Sequence, residues 1–189
     1  MKLRRKRRPH DWVSSADAIR TERLRVVPIT PELEAGYVAL FDDEFVTTHH
    51  WSRAMVHVVQ KSLRAGGADR DLVTRATAVL VPRDNPHAVV GFISIERGPA
   101  GSADKRQFGI QIASDHRGMG YTTEVLPAII DHIEHGKFRH VVLATSEHNA
   151  AMIRVCEKLG LQFEPEPYKH PDGSEEVARV YRVLPRTPS

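Results

Sequence analysis

The sequence has little of what a secreted or membrane-spanning protein needs. Cys156 is the only cysteine in 189 residues, which excludes an internal disulfide framework and a cysteine-rich zinc site. No stretch approaches the roughly 20 apolar residues that cross a bilayer, so no membrane partner is expected. The basic N-terminus is not followed by an apolar run, and we expect no secretory signal. Together these features favour a reducing, cytoplasmic setting.

Positive charge is concentrated at one end of the chain. Residues 1–8 contain six Lys and Arg and no acidic residue, whereas residues 9–189 contain 21 basic and 24 acidic residues. A block of like charges repels itself, so we expect residues 1–19 to form a disordered, solubilising tail. The alternative is contact with RNA or the ribosome through residues 1–8. Nucleic acid is not an expected partner of the rest of the chain.

The remaining sequence predicts a single domain. Residues 20–185 contain no internal repeat or low-complexity linker, and residues 186–189 are left as a short C-terminal tail. Apolar residues make up 41% of the chain and charged residues 27%, which is typical of globular proteins. A chain of this length buries roughly 70% of the surface that it exposes when unfolded, so a full core is available.

The spacing of apolar residues predicts groups of strands and helices. Met55, Val59 and Leu63 are expected on the inner face of the second helix, and Cys156 among the inward residues of the last one. A turn at Asp172-Gly173 separates the last two strands. The predicted strands are residues 23–29, 74–81, 88–96, 106–113, 138–145, 161–165 and 177–184. The first predicted helix begins at Thr30, and the other three cover residues 52–65, 120–135 and 149–159. This order predicts an α/β fold, with a mixed, mostly antiparallel central sheet flanked by helices.

The strongest chemical signal is the run Arg117-Gly118-Met119-Gly120-Tyr121-Thr122 between a strand and a helix. Glycines at such a turn let the backbone approach a ligand, and the helix N-terminus favours an anion such as a phosphate. The spacing excludes the nucleotide P-loop and the dinucleotide fingerprint. Two glycines that only cap a helix start are the alternative.

This run resembles the Arg/Gln-x-x-Gly-x-Gly/Ala acyl-CoA loop of the GNAT superfamily of N-acetyltransferases. Residues 149–161 are similar to the helix that follows in that superfamily, usually Asn-x-Ala-Ser-x-x-Val-Leu-Glu-Lys-Leu-Gly-Phe. Thr21-Glu22-Arg23-Leu24-Arg25 resembles the opening of the branch that acetylates the N-termini of ribosomal proteins. The likeness extends over roughly residues 20–184 and keeps the predicted order of elements, so a GNAT-like fold is expected.

The resemblance implies acetyl-CoA as co-substrate, held between the central strands. The backbone amides of residues 118–122 would hold the pyrophosphate, and the strand around Ile112 and Ala113 would pair with the pantetheine arm. Asn149 would contact that arm; it also suits the N-cap of its helix, and the two roles are compatible. Thr122 departs from the family's Gly or Ala, and Pro127 is unusual inside a helix. The predicted cofactor-binding residues are Ile112, Ala113, Arg117, Gly118, Met119, Gly120, Tyr121, Thr122 and Asn149.

The implied activity is acetyl transfer to a primary amine, either a protein N-terminus or a small amine, by direct attack in a ternary complex. In relatives the base is often a glutamate on the strand before the loop, a position that matches Gln107 here. The acid is a tyrosine or a serine on the later helix, and these positions match Cys156 and Met152. The departures leave an alternative open: a non-catalytic acyl-CoA-binding or interaction module.

Three residues are candidates for proton transfer: Glu96, His148 and Cys156. Cys156 could donate a proton or be an inert core thiol. Glu96 could act through a water molecule or be a solvated strand end, while the imidazole of His148 is a common general base. Tyr168 and Tyr181 could supply an acid or only pack. Orientation of the bound amine could also suffice alone, since it lowers a barrier by up to about 7–11 kcal/mol.

The acceptor face carries the least recognisable pattern. Residues 31–73 are expected to build it, with His49, His50 and Trp51 as lining candidates. No metal is expected, because neither these histidines with His57 nor the run His132-x-x-His135 beside Asp131 comes with the further ligands that zinc needs. The resemblance implies that the chain can form a homodimer, while the sequence itself leaves the oligomeric state open.

Overall fold

The computed structural model describes residues 19–48, 52–67, 73, 76–97, 105–134, 140–164 and 178–183. Several predictions fall outside these ranges: those for the tails at residues 1–18 and 186–189, for His49, His50, Trp51, His135 and Tyr168, and for the turn at Asp172-Gly173. Within the described ranges, no helix is both long and apolar enough to cross a membrane.

Seven strands form one sheet. They are β1 (Leu24–Pro28), β2 (Thr77–Pro82), β3 (Gly91–Arg97), β4 (Lys105–Ile112), β5 (His140–Ser146), β6 (Gln162–Glu164) and β7 (Ala178–Val183). Their order across the sheet is β1-β2-β3-β4-β5-β7-β6. Neighbouring strands are antiparallel except β4 and β5, which are parallel. The predicted mixed, mostly antiparallel sheet is confirmed, and β2, β3 and β4 form an antiparallel meander within it.

Helices flank this sheet. They are α1 (Glu34–Ala39), which follows a 3-10 turn at Pro31–Leu33, α2 (Asp43–Thr48), α3 (Arg53–Ala65), α4 (Tyr121–Glu134) and α5 (Ala150–Lys158). The N-cap of α3 is Ser52, whose side chain accepts a hydrogen bond from the backbone N–H of Met55 at 3.2 Å, and its C-cap is Gly66, with a φ of 70°. The sequence predicts all of these helices except α2, a short segment whose β-branched Val46, Thr47 and Thr48 are poor helix formers.

The inner face of α3 differs from the prediction by one residue. Val56 and Leu63 are buried, whereas Met55 remains 44% exposed. Val59 packs against the buried cluster, as predicted. Both Met55 and Val56 share helical spacing with Val59 and Leu63, so periodicity alone does not choose between them.

The core occupies both faces of the sheet. Adjacent residues of a strand point to opposite faces. Val26 and Leu80 therefore join the cluster under α4 and α5, which also contains Cys156, while Val27 and Val79 join the cluster under α1, α2 and α3. The predicted layering of helices on a central sheet follows from this alternation.

The parallel pairing of β4 and β5 is short. Partner residues run only from Lys105 and His140 to Phe108 and Leu143. Beyond that point β4 stays paired with β3 and β5 stays paired with β7. The sheet thus divides into a first half-sheet, β1 to β4, and a second half-sheet, β5 to β7, whose facing edges separate after Phe108.

Candidate functional site

A cleft of about 810 Å³ lies where the two half-sheets separate. Its volume is typical of sites for small molecules and cofactors. One wall is the edge of β4, and the other is the end of β5 with the start of α5. The lining residues are 107–112, 116–118, 120–123, 143–146, 148, 149, 151, 152 and 155. The cleft therefore has a strand edge on one side and a helix N-terminus at its mouth.

The glycine loop, residues 117–120, connects the cleft to α4. Gly118 and Gly120 line the cleft and have φ values of 75° and 78°. Residues other than glycine rarely adopt this left-handed conformation. Tyr121 and Thr122, in the first turn of α4, also line the cleft. The backbone amides of a helix start attract anions, so this end of the cleft suits a phosphate or pyrophosphate.

Arg117 makes a contact within the protein that the sequence does not predict. Its Nη1 is paired with the carboxylate of Glu44 in α2, and its Nε donates to the carbonyl of Ile112 at 3.3 Å. Beside this pair, Ser114 Oγ donates to Asp42 Oδ2 at 3.3 Å. Acidic residues at the start of α2 therefore lie next to the glycine loop.

A second set of contacts holds the loop from the N-terminal side of β1. The N–H of Arg23 donates to Glu124 Oε1 at 2.8 Å, its Nε donates to Glu124 Oε2 at 2.6 Å, and Thr21 Oγ1 also donates to that carboxylate. Arg23 Nη1 donates to the carbonyl of Met119 at 3.0 Å. We call Thr21, Arg23 and Glu124 the N-terminal anchor. Sequence reasoning misses its role, although the Thr21–Arg25 motif contains two of its members.

The anchor changes the titration of Glu124. Burial acts to raise the pKa of this carboxyl, but the hydrogen bonds from Thr21 and from the N–H of Arg23, together with the Arg23 guanidinium, hold the pKa below its ordinary value. Glu124 therefore remains ionised and continues to accept from Arg23 in mildly acidic solution.

The residues expected along the pantetheine arm occupy different positions. Ile112 lines the cleft, and its carbonyl also accepts from Gln111 Nε2 at 3.3 Å. Ala113 lies outside the lining, and its N–H donates to the carbonyl of Val90 at 2.9 Å. Asn149 lines the cleft and caps α5, with its Oδ1 accepting from the N–H of Met152 at 3.0 Å. Met119 is 48% exposed and contributes its carbonyl to Arg23.

Of the candidates for proton transfer, the structure brings His148 to the cleft. Its Nε2 lies 3.6 Å from Glu147 Oε1, and its backbone N–H donates to Ser146 Oγ at 3.3 Å. The backbone of Glu96 lies in β3 directly opposite Gln107, which lines the cleft from β4. The Glu96 side chain is outside the described part of the structure.

Cys156 and Tyr181 lie in the core instead. The side chain of Cys156 is fully buried, and that burial raises the pKa of its thiol to about 12. Its helix neighbours Met152 and Val155 line the cleft, but Cys156 faces away from it. Tyr181 is buried and packs edge-on against Phe163, with 6.1 Å between ring centroids. Among the described residues, no group of three or more His, Cys, Asp and Glu is arranged to hold a metal ion.

Comparison with known proteins agrees with this architecture. The model of the "Acetyltransferase (GNAT) domain" family matches residues 23–162. None of the curated proteins matches the sequence. An acetyltransferase structure from Agrobacterium tumefaciens str. C58 superposes with a TM-score of 0.63 at 20% identity, covering 86% of this chain and 91% of that one.

Two further structures are informative. A candidate ribosomal-protein-serine acetyltransferase from Vibrio cholerae has a TM-score of 0.59 at 16% identity, covering 88% of this chain and 97% of that one. A candidate acetyltransferase from Salmonella typhimurium, solved with its cofactor acetyl-CoA, has a TM-score of 0.55 at 16% identity, covering 85% and 93%. At these identities the structures show a shared fold. The family model, which matches more than half of the chain, shows more: the protein belongs to the GNAT acetyltransferase family.

Proposed function

We propose that this protein transfers an acetyl group from acetyl-CoA to a primary amine, by direct attack within a ternary complex. The observation that carries the proposal is the cleft between β4 and β5, which ends at the glycine loop and the N-terminus of α4. A single elongated ligand with a polar arm and a pyrophosphate has the shape and the charge that this cleft would bind.

The chain's residues fit acetyl-CoA in three ways. Gly118 and Gly120 have no Cβ, so they allow the positive φ that this turn needs and add no side chain beside a close-lying pyrophosphate. The edge of β4 from Gly109 to Ile112 is not covered by β5, so an amide-containing arm can hydrogen-bond along it. Asn149 stands at the opposite wall. Thr122 and Tyr121 would flank the phosphates.

For the chemistry, we propose His148 as the residue that accepts the amine proton, directly or through water. It is the candidate at the cleft whose side chain has a proton-accepting nitrogen. Glu96 is the second candidate, because its strand position is opposite Gln107. We leave Cys156 out of the proposed site, because it is buried away from the cleft.

For the acceptor, we propose a protein N-terminus first and small amines second. The Thr21–Arg25 motif and the fold shared with the Vibrio cholerae protein support this order. We further propose that residues 20–185 form the transferase domain and that it works in the cytoplasm. A homodimer and contact of residues 1–8 with RNA are separate expectations that rest on the sequence.

Calorimetric titration of acetyl-CoA and free CoA into the purified protein tests the cofactor site. We expect micromolar binding that is lost in Gly120→Asp, because an aspartate strains the positive φ of this residue and brings a second carboxylate to Arg23, which holds the loop. Thiol release with a panel of amines then tests transfer. Absence of binding by the folded wild-type protein would overturn the proposal.

The second candidate function is a non-catalytic acyl-CoA-binding module. It is favoured by Gln107 and Met152, which line the cleft at the positions where relatives carry a base and an acid. Under this alternative, CoA binding persists while no amine in the panel causes thiol release. Release with any amine excludes it.

A further inference from the structure

We infer that Arg23 is a positioning residue that orients the backbone of the glycine loop for pyrophosphate binding. The inference rests on the proposed function and adds a determinant to its cofactor site. Arg23 precedes β1, 94 residues before Arg117 in the chain, yet it contacts both the loop and the first turn of α4.

Arg23 holds the peptide bond between Met119 and Gly120 in one orientation. Arg23 Nη1 donates to the carbonyl of Met119 at 3.0 Å. A trans peptide is planar, with its C=O and N–H pointing in opposite directions. The bond to Arg23 therefore turns the N–H of Gly120, which lines the cleft, away from Arg23. An amide held in this way does not have to reorient when an anion arrives.

Arg23 is itself held in place by Glu124 and Tyr121. Its N–H and its Nε both donate to Glu124, and its guanidinium lies over the ring of Tyr121 at 4.8 Å from the centroid. The N–H of Glu124 in turn donates to the carbonyl of Gly120 at 3.0 Å. The contacts form a closed ring through Arg23, Met119, Gly120 and Glu124, so the loop conformation is fixed from both sides.

The positioning role of Arg23 is distinct from the effect of its positive charge. Glu124 is ionised and lies 2.6 Å from Arg23 Nε, so it offsets the charge that Arg23 would offer to a phosphate. What remains is the fork of donors, which reaches Glu124 and Met119 at the same time. A lysine keeps the charge but has no such fork, and it therefore distinguishes the two roles.

The test compares Arg23→Gln and Arg23→Lys with Arg83→Gln. Arg83 is the matched control, because its Nη1 donates to the carbonyls of Thr21 and Glu22, at 3.2 Å each, and not to the loop. We expect both Arg23 variants to weaken CoA and dephospho-CoA binding by about tenfold, the loss that follows from one charge-assisted hydrogen bond. We expect Arg83→Gln to stay within about twofold of wild type.

Pantetheine, which lacks the pyrophosphate, distinguishes positioning of the loop from a general structural effect, because a general effect would weaken pantetheine binding as well. Its affinity, measured by ligand-observed NMR, is expected to be the same in wild type and Arg23→Lys. Glu124→Gln repeats the test with a variant of nearly unchanged shape, in case Arg23→Gln unfolds. Three results would overturn this inference but not the proposed function. They are wild-type affinity for CoA in Arg23→Lys, an equal loss of affinity for pantetheine in that variant, and an equal loss of affinity for CoA in Arg83→Gln. A wild-type protein that does not bind CoA would overturn the proposed function.

Discussion

Arg117 of the glycine loop is paired with Glu44 of α2, across 73 residues of sequence. The pair connects the segment that would hold the cofactor's phosphates to the helical region expected to receive the acceptor. Both side chains are about half exposed, so the pair contributes little to stability and costs little to open. Under the proposed function, cofactor binding and the position of α2 would be linked through the Arg117 guanidinium.

Replacing Glu44 with Gln should strengthen CoA binding. The change removes a negative charge beside the phosphate site and frees Arg117 to face the ligand, which we expect to lower the Kd by about two- to fivefold. Calorimetry at low and high salt measures the effect, which should shrink as salt screens the charge. Asp43→Asn is the control, because Asp43 pairs with Arg53 on the same side of the fold. An unchanged or weaker affinity in Glu44→Gln would contradict the expectation.

The N-terminal anchor should make stability depend on pH through Glu124. Its pKa is lowered in the folded state, so its contribution is fully present above the unfolded value of about 4.3 and is lost as pH falls through the folded value. Urea unfolding of wild type and Glu124→Gln from pH 7 to pH 3 measures this. The difference in the free energy of unfolding should be largest near neutral pH and should decline in acid. Glu22→Gln, a change at an exposed neighbouring residue that is not part of the N-terminal anchor, is the control.

Cys156 should behave as a core residue. Because its thiol is buried with a pKa raised to about 12, the native protein should react slowly with thiol reagents at pH 8, and rapidly once unfolded. Cys156→Ala should lower the free energy of unfolding by about 1 kcal/mol, the cost of a small buried group and its cavity. It should leave kcat within about twofold of wild type. A tenfold loss of kcat in a folded Cys156→Ala would show that the thiol takes part in the reaction.

His148 should affect turnover and not cofactor affinity. If it accepts the amine proton, His148→Gln should lower kcat by about a hundredfold while the Kd for CoA remains unchanged. Thiol release with the best amine from the panel measures kcat. His57→Gln, on α3 outside the cleft lining, is the control. An undiminished kcat would exclude His148 as the base and leave two explanations, proton transfer to Glu96 or orientation of the bound amine alone.

Local signals in the sequence predicted most of the fold. Asn149 caps α5 as expected, because an N-cap depends on residues three positions apart, and Ser52 caps α3 in the same way. Strands β2 to β4 follow from apolar stretches, which alternate with other residues in β4, and from the turn residues between them. The inner face of α3 was off by one residue, since helical spacing allows Met55 or Val56 and only the packed sheet selects Val56.

The site was predictable where it lies within one segment. The glycine loop and Asn149 both line the cleft, and each has a recognisable local pattern. The partners of that loop were not predictable, because Thr21 and Glu124 are 103 residues apart and Arg117 and Glu44 are 73 apart. Such pairs are set by tertiary packing, which neither periodicity nor capping rules describe.

The short parallel contact between β4 and β5 gives the protein a seam. Four pairs of residues join the two half-sheets along it, and beyond them the strand edges face each other across the cleft. A ligand that hydrogen-bonds to both edges would bridge that seam, so under the proposed function acetyl-CoA stabilises the fold as well as reacting on it. At a hundred times its Kd, such a ligand adds about 2.7 kcal/mol to the free energy of unfolding. The supply of acetyl-CoA would then influence how long the chain survives proteolysis, making the abundance of this protein sensitive to the metabolic state of the cell.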